Sequence, residues 1–256
     1  MTGRSFWTED ISTKNADLLL LLVSVGVGVI DAFTFPDLQV FAANMTGNTV
    51  FLSLAAAQVS DPFLSAPRSI VALASFWAGS FVSGQLGHRV GPRRRGWIAF
   101  AFFWQGMLVL VAAILMWTKV VGTDDIDALD RRVLGLVSLL SFCYGAQGTT
   151  ARGLGVPEIP TVVITSAMVD LFGDRDLFTL HNRPRNRRAA FICAIFLGGF
   201  LGGWTYGRVN AALTVAVAAS IKLLCVPTVL LFRSAAQEKA ETERSRALLA
   251  QHKEVP

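Results

Sequence analysis

Long apolar stretches alternate with short polar ones along the whole chain. Six stretches are long enough to cross about 30 Å of hydrocarbon, which takes roughly 20 helical residues. They fall near 18–36, 69–88, 97–117, 133–151, 189–208 and 211–232. Two shorter apolar pieces, Thr49–Val59 and Thr161–Gly173, each follow a break rich in Gly, Pro, Asn or Thr. The ten-residue alternation of a membrane barrel is missing. The pattern predicts an all-α membrane protein with about six transmembrane helices, plus two short broken or re-entrant helices.

Composition strengthens this reading. The chain has 256 residues, 53% hydrophobic and 16% charged, with mean hydropathy +0.51. Soluble domains average about 25% charged residues. A soluble fold would need several helices apolar on every face, too many for one core. The run 18–30 lacks an A-x-A site and a strongly basic leader, so it reads as the first spanning helix.

Charge sets the expected orientation, because Lys and Arg accumulate in cytosolic loops. With the two short pieces not crossing, seventeen of the 23 Lys and Arg residues fall on one side and five on the other. The majority side holds both termini, Arg89 to Arg95, and the group from Arg152 to Arg188. Both termini are therefore expected in the cytosol. The expected parts are a cytosolic segment 1–17, a membrane domain 18–232 and a cytosolic tail 233–256. Asp124, Asp125, Asp127 and Asp130 fall in the outer loop. If both short pieces crossed, the basic loops at 88–96 and 174–188 would lie on opposite sides. The runs Arg93–Arg95 and Arg183–Arg188 are explained by topology, with anionic headgroups as a second reading. The net charge of +5 does not point to nucleic acid, because no basic module with interleaved aromatics accompanies it.

The two halves, about 18–117 and 133–232, rhyme. Phe76-Trp77-Ala78-Gly79 matches Phe196-Leu197-Gly198-Gly199, Gly26 matches Gly145, and Thr46 matches Thr165. Each half contributes three full spans, so the second is inverted relative to the first. Inverted repeats with paired broken segments are characteristic of transporters, whose breaks mark a site near the midplane. Gly79, Ser80, Ser83, Gly84 and Gly87 form a small-residue face, as do Gly198, Gly199, Gly202, Gly203 and Gly207. Close helix packing explains both.

Asp31 is the most informative residue. It ends an apolar run, where a charge costs at least ~2.5 kcal/mol on insertion scales and is usually functional. Lys222, in the middle of the last span, is the second such charge. An Asp31–Lys222 pair is one expectation, and Asp170 is an alternative partner. Asn44 and Thr46 open a short helix and can cap it or face a ligand there. Asn48 follows on the same short helix. Gln147 and Thr165 are the polar residues expected from the second half. Cys143, Cys193 and Cys225 fall in apolar runs and His88, His181 and His252 in basic or terminal segments, so no metal site is expected. Hydrolase, phosphate-loop and dinucleotide motifs are absent, so neither an enzyme nor a cofactor is expected.

Gly28-Val29-Ile30-Asp31-Ala32-Phe33, followed by Phe41-Ala42-Ala43-Asn44-Met45-Thr46-Gly47-Asn48-Thr49, resembles the signature of the YoaK family. Gly145-Ala146-Gln147, Val156-Pro157 and Thr161-x-x-x-Thr165 add to the likeness, which spans roughly residues 18–232. The second half departs from that pattern at Gly148 and Ser166. The resemblance implies a small multipass membrane protein and carries no known activity.

The expected function is transport of a small molecule or ion, linked to protons through Asp31. Asn44, Thr46, Asn48, Gln147, Thr165 and Lys222 complete the expected site. The alternative is a non-transporting scaffold or accessory protein of a membrane-associated pathway. Expected partners are the lipid bilayer and an unidentified small molecule or ion. A homo-oligomer is left open.

Overall fold

A computed structural model describes residues 6–12, 16–59, 64–121, 129–232, 234–235, 239–240 and 243–245. Asp124, Asp125 and Asp127 lie outside the described residues, as do much of the N-terminal segment and of the tail. Among the described residues there are a short 3-10 turn, Phe6–Thr8, and eight α-helices: α1 Ala16–Leu38, α2 Met45–Ala56, α3 Ala66–Val90, α4 Arg95–Trp117, α5 Arg131–Gly153, α6 Ile164–Phe172, α7 Arg183–Arg208 and α8 Ala211–Leu231. Six are long and apolar enough to cross a membrane. The short α2 and α6 sit where the breaks were expected.

The helix ends follow from local chemistry. Gln39 turns left-handed at φ 57° directly after α1, three residues beyond Pro36. Asp130, Asn182 and Asn210 cap α5, α7 and α8 with their side chains. Gly91, at φ 114°, ends α3, in a conformation that strains any residue with a Cβ.

α7 starts six residues before the apolar stretch that announces it. Arg183, Arg185, Arg187 and Arg188 lie in its first two turns and not in a loop. Hydropathy locates the lipid-buried part of a helix, whereas the Asn182 cap, Pro184 in the first turn and good helix formers locate its start. These arginines also clamp their surroundings. Arg187 pairs with Asp17 at 2.8 Å and Glu158 at 3.3 Å, and Arg188 with Asp174 at 3.3 Å.

Asp174 accepts hydrogen bonds from the Asp176 N–H and the Asn182 side chain, which hold its carboxyl below the usual carboxylate range. A carboxyl depressed on folding stabilises the turn above its unfolded value and loses that effect as pH falls through its folded value. The α6–α7 turn is thus expected to stay closed at neutral pH and to loosen only below about pH 4. Hydrogen exchange of residues 174–182 across that range checks this.

The N-terminal segment contributes more than the sequence suggested. Asp10 bridges Arg94 and Ile11 bridges Ser234, so the N-terminal segment lies between the α3–α4 turn and the residues that follow α8. Ile11 is fully buried there.

Three helix pairs dominate the packing: α1 with α7, α3 with α5, and α4 with α8. Glycines set the first two contacts. A Cβ on Gly79 would overlap the Phe142 carbonyl, and one on Gly145 would overlap that of Phe76. A Cβ on Gly28 would overlap Ile195, and one on Gly198 would overlap Val25. Gly28 and Gly145 thus make similar close approaches in the two pairs, as do Gly79 and Gly198. Gly199, Gly203 and Gly207 meet nothing and open on a groove on the outer face of α7. Gly79→Ala should therefore destabilise the bundle by about 1–3 kcal/mol, as overpacking does. Gly203→Ala should change it by less than about 1 kcal/mol. Thermal unfolding of both variants in one detergent would reveal the contrast.

Candidate functional site

The break between α1 and α2 takes backbone groups of residues 40–43 out of the helical hydrogen-bond ladder. Polar side chains supply them one by one. The Ala43 N–H donates to Asp31 Oδ1 at 3.0 Å and the Ala42 N–H to Thr34 Oγ1 at 3.2 Å. Asn48 holds both groups of Phe41, accepting its N–H and donating to its carbonyl, each at 2.8 Å. Asn44 caps α2 through the Gly47 N–H at 3.3 Å. Arg68, wholly buried, donates to the Gln39 side chain at 3.0 Å and to the Leu38 carbonyl at 3.4 Å. A buried backbone group left unpaired costs about 1–3 kcal/mol, so this web is what lets the chain bend here at all. Asp31 and Thr34 lie three residues apart, one turn along the same face of α1.

Beside the web lies a cavity of about 1120 Å³. α1 contributes Asp31 with Val27, Gly28, Ala32, Phe35 and Pro36, and the opening of α2 contributes Asn44 to Gly47. α3, α5 and α7 close it with Phe76 and Ser80, with Gly148, Thr149 and Arg152, and with Ile195, Phe196, Gly199 and Phe200. Val163 to Thr165, at the opening of α6, complete the wall. The cavity therefore lies between the α1–α7 pair and the α3–α5 pair, where the polar breaks of both halves meet.

Four residues named from sequence, Asp31, Asn44, Thr46 and Thr165, line this cavity. Three others do not. Asn48 is fully buried as the Phe41 latch. Gln147 and Lys222 belong to a second polar cluster. The Lys222 ammonium donates to Gln147 Oε1 and, at 3.4 Å, to Gln105 Oε1. It also stands 4.3 Å from the centre of the Tyr144 ring. Gln147 Nε2 donates to the Val23 carbonyl at 3.4 Å, and the Tyr144 hydroxyl to that of Gly26 at 3.1 Å. The ammonium thus has two side-chain oxygens and a ring face around it, and all three are neutral.

The expected Asp31–Lys222 pair is not formed, and neither is a pair with Asp170, which lies 4.0 Å from Arg188. The reason is helix placement. α8 packs on α4 and α1, so its middle residue reaches the α4–α5 seam. Sequence reasoning matched opposite charges and passed over Gln105, a lone amide in α4. It also grouped Arg152 with the loop cations. Its place in the last turn of an otherwise polar α5 segment was the available signal.

A family described as a protein of unknown function, DUF1275, matches residues 19–227. The chain belongs to this family. Over 161 residues, this DUF1275 chain is 27% identical to the UPF0700 transmembrane protein YoaK of Bacillus subtilis (strain 168). The match covers 61% of this chain and 65% of that relative, so it spans a little under two thirds of the relative's length. No solved structure matches. The YoaK resemblance read from the Asp-Ala and Met-Thr-Gly-Asn elements is thereby met, and the six-span membrane fold agrees with the relative's transmembrane description.

Proposed function

We propose that this DUF1275 chain is a transporter that carries a small molecule or ion through the cavity beside Asp31, with both termini in the cytosol. One observation carries the reading: the cavity is walled by both halves of the chain, at the point where both have broken helices. Exchanging α1–α4 for α5–α8 also carries the main packing pairs onto one another, α1–α7 onto α3–α5 and α2–α3 onto α6–α7. An inverted repeat has that property, and transporters built this way alternate access by rocking one part against the other around a central site.

The glycine contacts make α1–α7 and α3–α5 the two stiff parts. The Lys222 cluster ties them together, because Gln147 and Tyr144 of α5 bond the α1 carbonyls of Val23 and Gly26. It is the natural pivot. Opening the cavity toward one side closes it toward the other, with Asp31 able to carry a proton across. Purified chain in sealed vesicles should collapse an imposed pH gradient faster when its substrate is present. Vesicles that leak no faster than protein-free ones with a broad metabolite mixture would count against transport and favour an accessory role.

A further inference from the structure

We propose that the cavity takes a small organic anion, a carboxylate on an apolar body. The proposal rests on the transport reading and names its substrate class. Among the described residues, two ionisable side chains stand in the cavity wall, Asp31 and Arg152. Asp31 already serves the fold, holding the Ala43 N–H. Arg152 has no carboxylate within ion-pair distance among the described residues. Three other arginines on the loop-rich side, Arg183, Arg187 and Arg188, each pair with an acid. A cation kept clear of acids in a cavity wall is a binding group for an anion, and a guanidinium matches a carboxylate with two parallel hydrogen bonds.

The rest of the wall describes the remainder of the ligand. Phe35, Phe41, Phe76, Phe196 and Phe200 supply large apolar faces. Phe35 and Phe41 stack ring on ring at 5.0 Å between centres, so this part of the wall is aromatic and held in place. A volume of about 1120 Å³ suits an organic molecule far better than a bare inorganic ion. Thr46, Thr165 and Ser80 place hydroxyls around the space. The opening turn of α6, which lines the cavity, has no side-chain cap, so its first backbone N–H groups lack a capping acceptor.

An ionised Asp31 would repel such a ligand across a poorly screened space. The anion therefore enters with a proton on Asp31, and both leave together on the far side. Anion and proton move in the same direction, and the complex that crosses carries no added net charge.

The test uses three probes of similar shape and different charge: phenylacetate, phenylacetamide and phenethylammonium. Each is titrated into the full chain in lipid nanodiscs at neutral pH and read by calorimetry. Phenylacetate should bind saturably, at least about ten-fold tighter than either of the others, the typical worth of a hydrogen bond to a charged group. Arg152→Gln should erase that preference, Arg152→Lys should keep part of it, and Arg208→Gln, at the far end of α7, should leave it intact. Tighter binding of phenethylammonium, equal binding of all three, no binding at all, or a preference that survives Arg152→Gln would each overturn the proposal. If Arg152→Gln does not fold, the wild-type ranking alone decides. Transport itself is judged separately, by labelling of the cavity from the two sides of the membrane: an overturned anion preference with labelling from both sides leaves a transporter of another ligand class.

Discussion

Asp31→Asn is expected to insert and fold like the wild type but to lose the accumulation of substrate on a proton gradient that the proposed function predicts. The amide keeps an oxygen where Asp31 Oδ1 accepts the Ala43 N–H, so the bend between α1 and α2 survives. The substitution removes only the ability to bind and release a proton. Downhill exchange of substrate across the membrane should persist, because the amide resembles the protonated carboxyl. Asp31→Leu separates the two roles in the other direction: it also strands the Ala43 N–H, at a cost of about 1–3 kcal/mol. Its expression and melting temperature should fall, whereas those of Asp31→Asn should not. Gradient-driven uptake that is normal in Asp31→Asn would remove Asp31 from the coupling.

Gln147→Leu is expected to be the most damaging single change in the second polar cluster, and Lys222→Met among the mildest. Lys222 is fully buried, and its ammonium depends on the Gln147 and Gln105 oxygens. Removing Gln147 leaves a charge in a dry interior with one side-chain oxygen and a ring face. Uncompensated buried charges of this kind cost about 3–5 kcal/mol. Removing Lys222 instead leaves two amides. Gln105 Nε2 has no partner in the wild type and is free to turn toward the Gln147 oxygen. Replacing a buried charge by an apolar side chain of similar length is often neutral or stabilising. The double variant Lys222→Met/Gln147→Leu should therefore be more stable than Gln147→Leu alone. A thermal-unfolding cycle over the four proteins reads the coupling directly, and strictly additive effects would show that the lysine carries no charge needing Gln147.

Much of the fold was legible in the chain. The six spans, the two short helices and the placement of α2 and α6 after polar breaks all follow from apolar run length, because a bilayer fixes how long such a run must be. Asp31, Asn44, Thr46 and Thr165 were legible as cavity residues, since polar groups beside a broken helix stand out against an apolar background. Other features depended on packing and could not be read from one strand of text. Asn48 looks like a ligand group until Phe41 is seen folded back onto it. Lys222 and Asp31 look like partners until α8 is seen against α4. Arg152 looks like one more loop arginine until it is seen in the cavity wall, without the acid partners that Arg183, Arg187 and Arg188 hold. Run length and polarity are properties of a segment, whereas the partner of a side chain is a property of the tertiary contact.

The central claim is that the cavity beside Asp31 opens alternately to the two sides of the membrane. Ala32→Cys, one residue from Asp31 in the cavity wall, tests it in a background where Cys143, Cys193 and Cys225 are replaced. Sealed vesicles of known orientation are exposed to a membrane-impermeant thiol reagent from one side, and in a parallel sample from the other. The account predicts labelling of position 32 from both sides, slowed from both when substrate is present. Labelling from one side only, or from neither, would contradict it and leave the chain a membrane protein with a polar pocket and no path through.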